Sequence, residues 1–187
     1  MRKLALVAIA ACTAVAGGAA WAQSRWVHPD GRSAYALPPG MVVDEAVAGD
    51  PKVFLSYSRR DGTKVAECIA GINPVQSVEK SQWARLMAIY NADPEREMRR
   101  ATAETGDTFN RFLGSRPFTS PGGYDGYFIW FDRTLKTKDH PEQVIRSATH
   151  TDAVGRTVVL CVTVKGQTFQ AADVDAIHRF TVTIRRP

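Results

Sequence analysis

The segment TVVLCVTVKG, residues 157–166, constrains the fold more than any other stretch of the chain. Its side chains alternate, with Val158, Leu160, Val162 and Val164 on one face and Val159, Cys161 and Thr163 on the other. Period-two spacing of β-branched residues predicts a strand, and a strand needs neighbours to satisfy its backbone. The N-terminal third supplies them in short punctuated runs. SRWV (24–27) precedes the turn HPDG, RSAYAL (32–37) precedes PPG, and MVVDEAV occupies 41–47. VFLSYSR (53–59) and TKVAECIAGI (63–72) flank RRDG, where Gly62 accepts the positive φ that a tight hairpin turn needs.

The middle of the chain changes period. Trp83, Leu86, Met87 and Tyr90 recur at helical spacing, and Asp93-Pro94 reads as the N-cap and first-turn proline of a second helix. Glu and Arg at i, i+3 and i+4 predict that this second helix is solvated and held mainly through Met98. Phe109, Phe112 and Leu113 in DTFNRFLG read as a continuing helical turn, which makes a charged helical insertion around 93–113, and SRPFTSPGGYDG reads as a loop. Strand character returns with YFIWFDRT (127–134), EQVIRSATHTD (142–152) and, after a turn at Gly155, the segment at 157–166. AADVDAIHRF (171–180) predicts a short helix and TVTIRR a last strand. The fold class is therefore α+β, a single domain with an antiparallel β-sheet and flanking helices.

The first 22 residues carry a different message. Arg2 and Lys3 open an apolar stretch from Leu4 to Ala20, and Ala20-Trp21-Ala22 offers a small-residue cleavage site. This predicts export to the periplasm or beyond, with cleavage after Ala22. A membrane anchor is the competing reading, opposed by Gly17-Gly18 and by the cleavage site that follows directly; a lipoprotein site at Cys12 is a lesser alternative and the only route to membrane contact. Cleavage leaves 165 of the 187 residues, enough for one core, and lowers the formal net charge from +5 to +3 as Arg2 and Lys3 leave. So mild a charge demands neither nucleic acid nor a membrane as partner. Cys68 and Cys161 remain, each in an apolar run; two buried thiols and one disulfide both fit, and an oxidising compartment favours the disulfide. Such a bridge would join neighbouring strands across the less apolar face of 157–166.

The order of these features resembles the PsbP-like fold, also found in DcrB-like periplasmic proteins. The resemblance rests on the hairpin W-x-x-x-D-G-x-x-x-x-x-x-P-P-G-M at the start and on TVVLCVTV and AADVDAIHRFTVTI at the end. It covers 24–72 and 127–185, with Met41 where a Trp is usual and the segment 93–113 added. It implies an antiparallel sheet flanked by helices, in proteins that mostly bind or assemble with other proteins. No functional residue carries over.

Candidate chemistry is sparse. His28, His140, His150 and His178 have no metal-ligand spacing and read as surface or turn residues, so neither metal nor cofactor is expected. His28 and Asp30 share one turn, where their side chains should diverge into solvent, and Pro29 and Gly31 account for that turn without catalysis. Ser56, Ser58, Ser115 and Ser120 have no recognisable partner, and G-x-S-x-G is absent. The glycine-rich loop TSPGGYDGYF lacks the Lys-Ser/Thr ending of a phosphate-binding loop. Tyr124, Tyr127, Phe128 and Trp130 beside it form a candidate contact surface or ligand rim. The leading expectation is an exported, non-enzymatic protein that contacts an envelope protein. The alternative is a small-molecule or lipid-binding module with an apolar groove between the sheet and the Trp83 helix; an unrecognised hydrolase ranks last.

Overall fold

Turns at HPDG, PPG and RRDG cut the first third of the chain into strands, and the computed structural model, which describes residues 24–187, places them where the punctuation requires. The expected cleavage site after Ala22 and the lipoprotein alternative at Cys12 lie outside the described residues. The strands are β1 (Ser24–Val27), β2 (Ala34–Leu37), β3 (Met41–Ala46), β4 (Lys52–Ser58) and β5 (Lys64–Pro74). Two helices follow, α1 (Lys80–Ala92) and α2 (Pro94–Glu104), then β6 (Thr108–Thr119), β7 (Asp125–Thr134), β8 (Glu142–Asp152), β9 (Gly155–Thr163) and α3 (Ala171–Thr183).

Every neighbouring pair is antiparallel, and hairpins connect all of them except β5 and β9. Strands β3 to β9 form one sheet of seven in the order β3-β4-β5-β9-β8-β7-β6, while β1 and β2 form a separate two-stranded ribbon. Within the large sheet only the β5 to β9 pairing joins strands that are not consecutive. Cys68 sits directly opposite Cys161 along it, and their sulfurs lie at disulfide-bonding distance.

Helices cover the sheet unequally on its two sides. On the first, α3 lays Val174, Ile177, Phe180 and Ile184 over Val53, Leu55, Cys68, Ile145, Val159 and Cys161, and the ribbon adds Tyr35 and Leu37. Tyr35 stacks on Phe180 with ring centroids 5.9 Å apart, and burial pushes its phenol up to about 12. Arg59 fixes the start of α3, donating to Thr168 O at 2.8 Å and to Asp173 Oδ2 at 2.7 Å, while Asp173 and Gln170 complete a capping box. On the second side, α1 and α2 bury Trp83, Met87 and Met98 against Tyr127, Ile129, Phe131, Val144 and Ala148, which lie on β7 and β8. Asp93 accepts from the Arg96 N–H and caps α2, and Pro94 opens its first turn.

Two expected elements are different in the structure. Residues 108–119 form the edge strand β6, where a continuing helical turn and a loop were predicted. Register shifts between Phe109 and Arg111 and between Phe112 and Gly114 insert residues into the pairing with β7, which gives a bulged strand apolar spacings that imitate a helix. Gly114 sits where the Trp130 ring occupies the place of a side chain, and Pro117 is accommodated because an edge strand need not donate outward. The helical insertion thus ends at Glu104. The second difference is TVTIRR, whose first three residues continue α3. Thr181 and Thr183 hydroxyls donate to the Ile177 and Phe180 carbonyls at 2.9 and 2.8 Å, so the β-branched residues are held inside a helix. What remains of the expected strand is one bridge from Arg185 to Ala34.

Candidate binding face

β9 alternates as its sequence demands, and its two faces meet different surroundings. Thr157, Val159, Cys161 and Thr163 are buried beneath α3, while Val158, Leu160 and Val162 remain partly exposed. Amphipathic reasoning places the more apolar face inside; here the less apolar face is inside because α3 and the disulfide lie there. On the opposite side α1 and α2 pack over β7 and β8, with Leu160 and Val162 of β9 at the margin of that cluster, while Phe54 of β4 and Ile69 of β5 stay exposed.

Register aligns the consequence. Phe54 pairs with Ile69 and Ile69 with Leu160, so three apolar side chains stand in one row across three strands. Phe54 is 40% and Ile69 37% exposed, so two large apolar side chains paired on adjacent strands meet water side by side. Val162 and Leu135 extend this floor into an open groove of about 590 Å³. A smaller hollow of about 220 Å³ continues past Leu160 towards α2, lined by Thr102, Phe131 and Arg146.

Charges surround the groove, and most are already compensated. Glu142, with a side chain 1% exposed, accepts from Arg133 Nε at 3.0 Å and from Lys138 Nζ at 2.7 Å. Glu67 pairs with Lys64 at 2.9 Å, and Asp44 accepts from the Ser56 hydroxyl at 2.9 Å. Lys165, just beyond the end of β9, has no hydrogen-bond or ion-pair partner among the described residues.

The aromatic surface expected at the glycine-rich loop is not a surface. Tyr124, Tyr127 and Phe128 are 6%, 2% and 0% exposed, and only Trp130 is partly accessible, beneath the Arg116 guanidinium. Consecutive strand residues face opposite ways, so Tyr127 stacks on Tyr90 under α1 while Phe128 meets His178 under α3. The groove expected beside the Trp83 helix is likewise filled. Trp83 is buried and donates its indole N–H to Asp125 O at 2.6 Å. The exposed apolar residues that sequence reasoning missed, Phe54 and Ile69, carried the alternation of ordinary strands; nothing local told which side a helix would cover.

The histidines also differ from expectation, being mostly packed inside. His28 and His150 are buried, and His178 packs edge-on against Phe118 and Phe128. His28 Nδ1 lies 2.7 Å from Asp30 Oδ1, so the two side chains converge where divergence was predicted. Burial alone would raise the Asp30 pKa, but the Arg32 N–H and His28 outweigh it and hold the carboxyl below 3.8. The Nε2 atom of His28 is buried without a partner, and the nearby Ser33 hydroxyl donates to Tyr35 Oη at 3.0 Å. Of the four serines considered, Ser120 donates to His150 O at 2.6 Å and Ser56 to Asp44. Among the described residues no group of three or more His, Cys, Asp and Glu could hold a metal ion, and no helix is long and apolar enough to cross a membrane.

His150 makes a pH prediction. Its ring lies 4.2 Å from that of Trp83, and burial lowers its pKa below 6.5, opposed by the Asp152 carbonyl and assisted by Arg156. His178 shifts the same way, through burial first and Arg116 second. For a depressed histidine the native state favours the neutral ring. As pH falls below 6.5 the unfolded chain takes up the proton first, and stability declines until the native ring also titrates. Asp30, Asp107 and Asp175, held below 3.8, add their losses only at more acid pH. Urea unfolding between pH 7.5 and about 5 should show falling stability, and His150→Phe should reduce that slope. An unchanged slope would refute the assignment to His150.

Comparison with known proteins bears on the fold alone. No protein-family model matches the chain, and no curated protein matches it. A crystal structure from Bacteroides thetaiotaomicron VPI-5482 is similar, with a TM-score of 0.54 and 8% sequence identity over 89% of this chain. The match takes in 49% of that protein, so this chain spans about half its length.

Proposed function

We propose that this chain is an exported, non-enzymatic binding module whose working surface is the uncovered half of its sheet. The observation that supports the reading is the row of Phe54, Ile69 and Leu160 across three strands, with Val162 beside it in the next row. Apolar side chains aligned across strands contribute most to binding when water leaves them together. The contact with an envelope protein expected from the sequence, and the PsbP-like kinship that implied it, belong to this proposal with the surface relocated. The small-molecule or lipid reading moves to the same place, favoured by a groove within the volume range of ligand sites. Export rests on the basic, apolar and small-residue pattern of residues 1–22.

The test is capture from a native envelope extract with wild-type protein and with the Phe54→Gln/Ile69→Gln double variant, followed by mass spectrometry of proteins and small molecules. Both substitutions lie at exposed positions and should leave the fold intact. Species retained by wild type and depleted at least tenfold on the variant support the surface. Identical profiles would remove it.

A further inference from the structure

We infer that the groove takes a single-chain anionic amphiphile, a long-chain carboxylate, with its alkyl chain over Phe54, Ile69, Leu160 and Val162 and its head group at Lys165. This rests on the proposed use of the uncovered sheet half and names its occupant. The floor is apolar over three strands, a width of about 10 Å at ordinary strand spacing. That shape suits an extended hydrocarbon chain lying across the strands.

Charge selects the head group. Glu142 and Glu67 are ion-paired within the chain, and Asp44, on the far strand β3, accepts from the Ser56 hydroxyl. Lys165 lines the same groove with no hydrogen-bond or ion-pair partner among the described residues, which leaves a cation available beside the apolar floor. His140, whose Nδ1 meets only the Pro141 carbonyl at 3.3 Å, lines the groove as well. A carboxylate at Lys165 gains a charge-assisted hydrogen bond while its chain leaves water. A second copy fits less well. A two-fold contact through this face would bring two uncompensated lysines into one interface. Addition of a strand at either edge is opposed by the bulge after Val43 with Asp44 and Glu45 on β3, and by two bulges and Pro117 on β6.

Isothermal titration of the purified protein with laurate, below the concentration at which it forms micelles, tests the inference against dodecanol as the neutral-headed control. Laurate should bind at one per chain and at least tenfold more tightly than dodecanol. Lys165→Gln should weaken laurate about tenfold and leave dodecanol unchanged, and Phe54→Gln/Ile69→Gln should abolish both. The inference is overturned by failure of laurate to bind, by equal affinity for the alcohol, by an unaltered Lys165→Gln, or by uptake only from phosphatidylglycerol vesicles. A wild-type dimer that Phe54→Gln/Ile69→Gln dissociates would also overturn it in favour of a second copy. If laurate fails while the double variant still loses material captured by wild type, the amphiphile falls and the binding surface stands.

Discussion

Replacing both Cys68 and Cys161 with alanine is expected to lower the unfolding free energy by about 4 kcal/mol. The bridge joins residues 93 apart in sequence, so in the unfolded chain it removes the entropy of a long loop. Its position adds to the effect. β3, β4 and β5 are linked by hairpins, as are β6, β7, β8 and β9, and the two groups meet in the sheet only along β5 and β9. Without the bond that junction keeps its backbone pairing but must form against the full search of the intervening chain. The same comparison, wild type against Cys68→Ala/Cys161→Ala in urea without reductant, reads the loss directly. A difference below about 1 kcal/mol would overturn the expected stabilisation, and a thiol count on unfolded protein without reductant reads whether the bridge is closed. Adding reductant should move wild type towards the variant and leave the variant unchanged.

Phe180→Ala should cost about 3–5 kcal/mol, whereas Phe54→Ala should cost less than about 1 kcal/mol. Both residues are phenylalanines packed at the same sheet, so the contrast isolates the difference between its sides. Phe180 is fully buried, stacked on Tyr35 and enclosed by the α3 side of the core, and truncation leaves a cavity that a close-packed neighbourhood can only partly fill. Phe54 is already half in water, and truncation removes little contact. Thermal or urea unfolding of the two single variants checks the pair. Similar losses would mean that something covers Phe54 in solution, and equilibrium sedimentation would then show whether that cover is a second copy.

Strand positions were legible in the sequence because their signals are local. Gly62 and Gly40 have positive φ at the turns that RRDG and PPG announce, and the strands on either side follow. Asp93 and Pro94 marked the start of α2 for the same reason. The failures share the opposite property, since each depends on a distant neighbour. Phe109, Phe112 and Leu113 imitate a helical turn until the bulges opposite Trp130 and Asp132 are known. Thr181, Val182 and Thr183 carry strand propensity, yet the helix that precedes them continues, supported by Phe180 and Ile177 in the core. Tyr124, Tyr127 and Phe128 looked like a rim because a glycine-rich loop precedes them, whereas α1 and α3 bury them from opposite sides. The candidate face was the least legible part. Alternation identifies the two sides of β9, and the bridge expected across its less apolar side lies there, but nothing local says which side a helix will cover.

The bridge between Arg185 and Ala34 links the first ribbon of the fold to its last helix. Two strands alone have too few neighbours to hold together in water, so β1 and β2 depend on that bridge and on Phe180. Synthesis runs from β1 towards α3. The earliest-made strands therefore gain their last contacts, to Phe180 and Arg185, from residues made at the end of the domain.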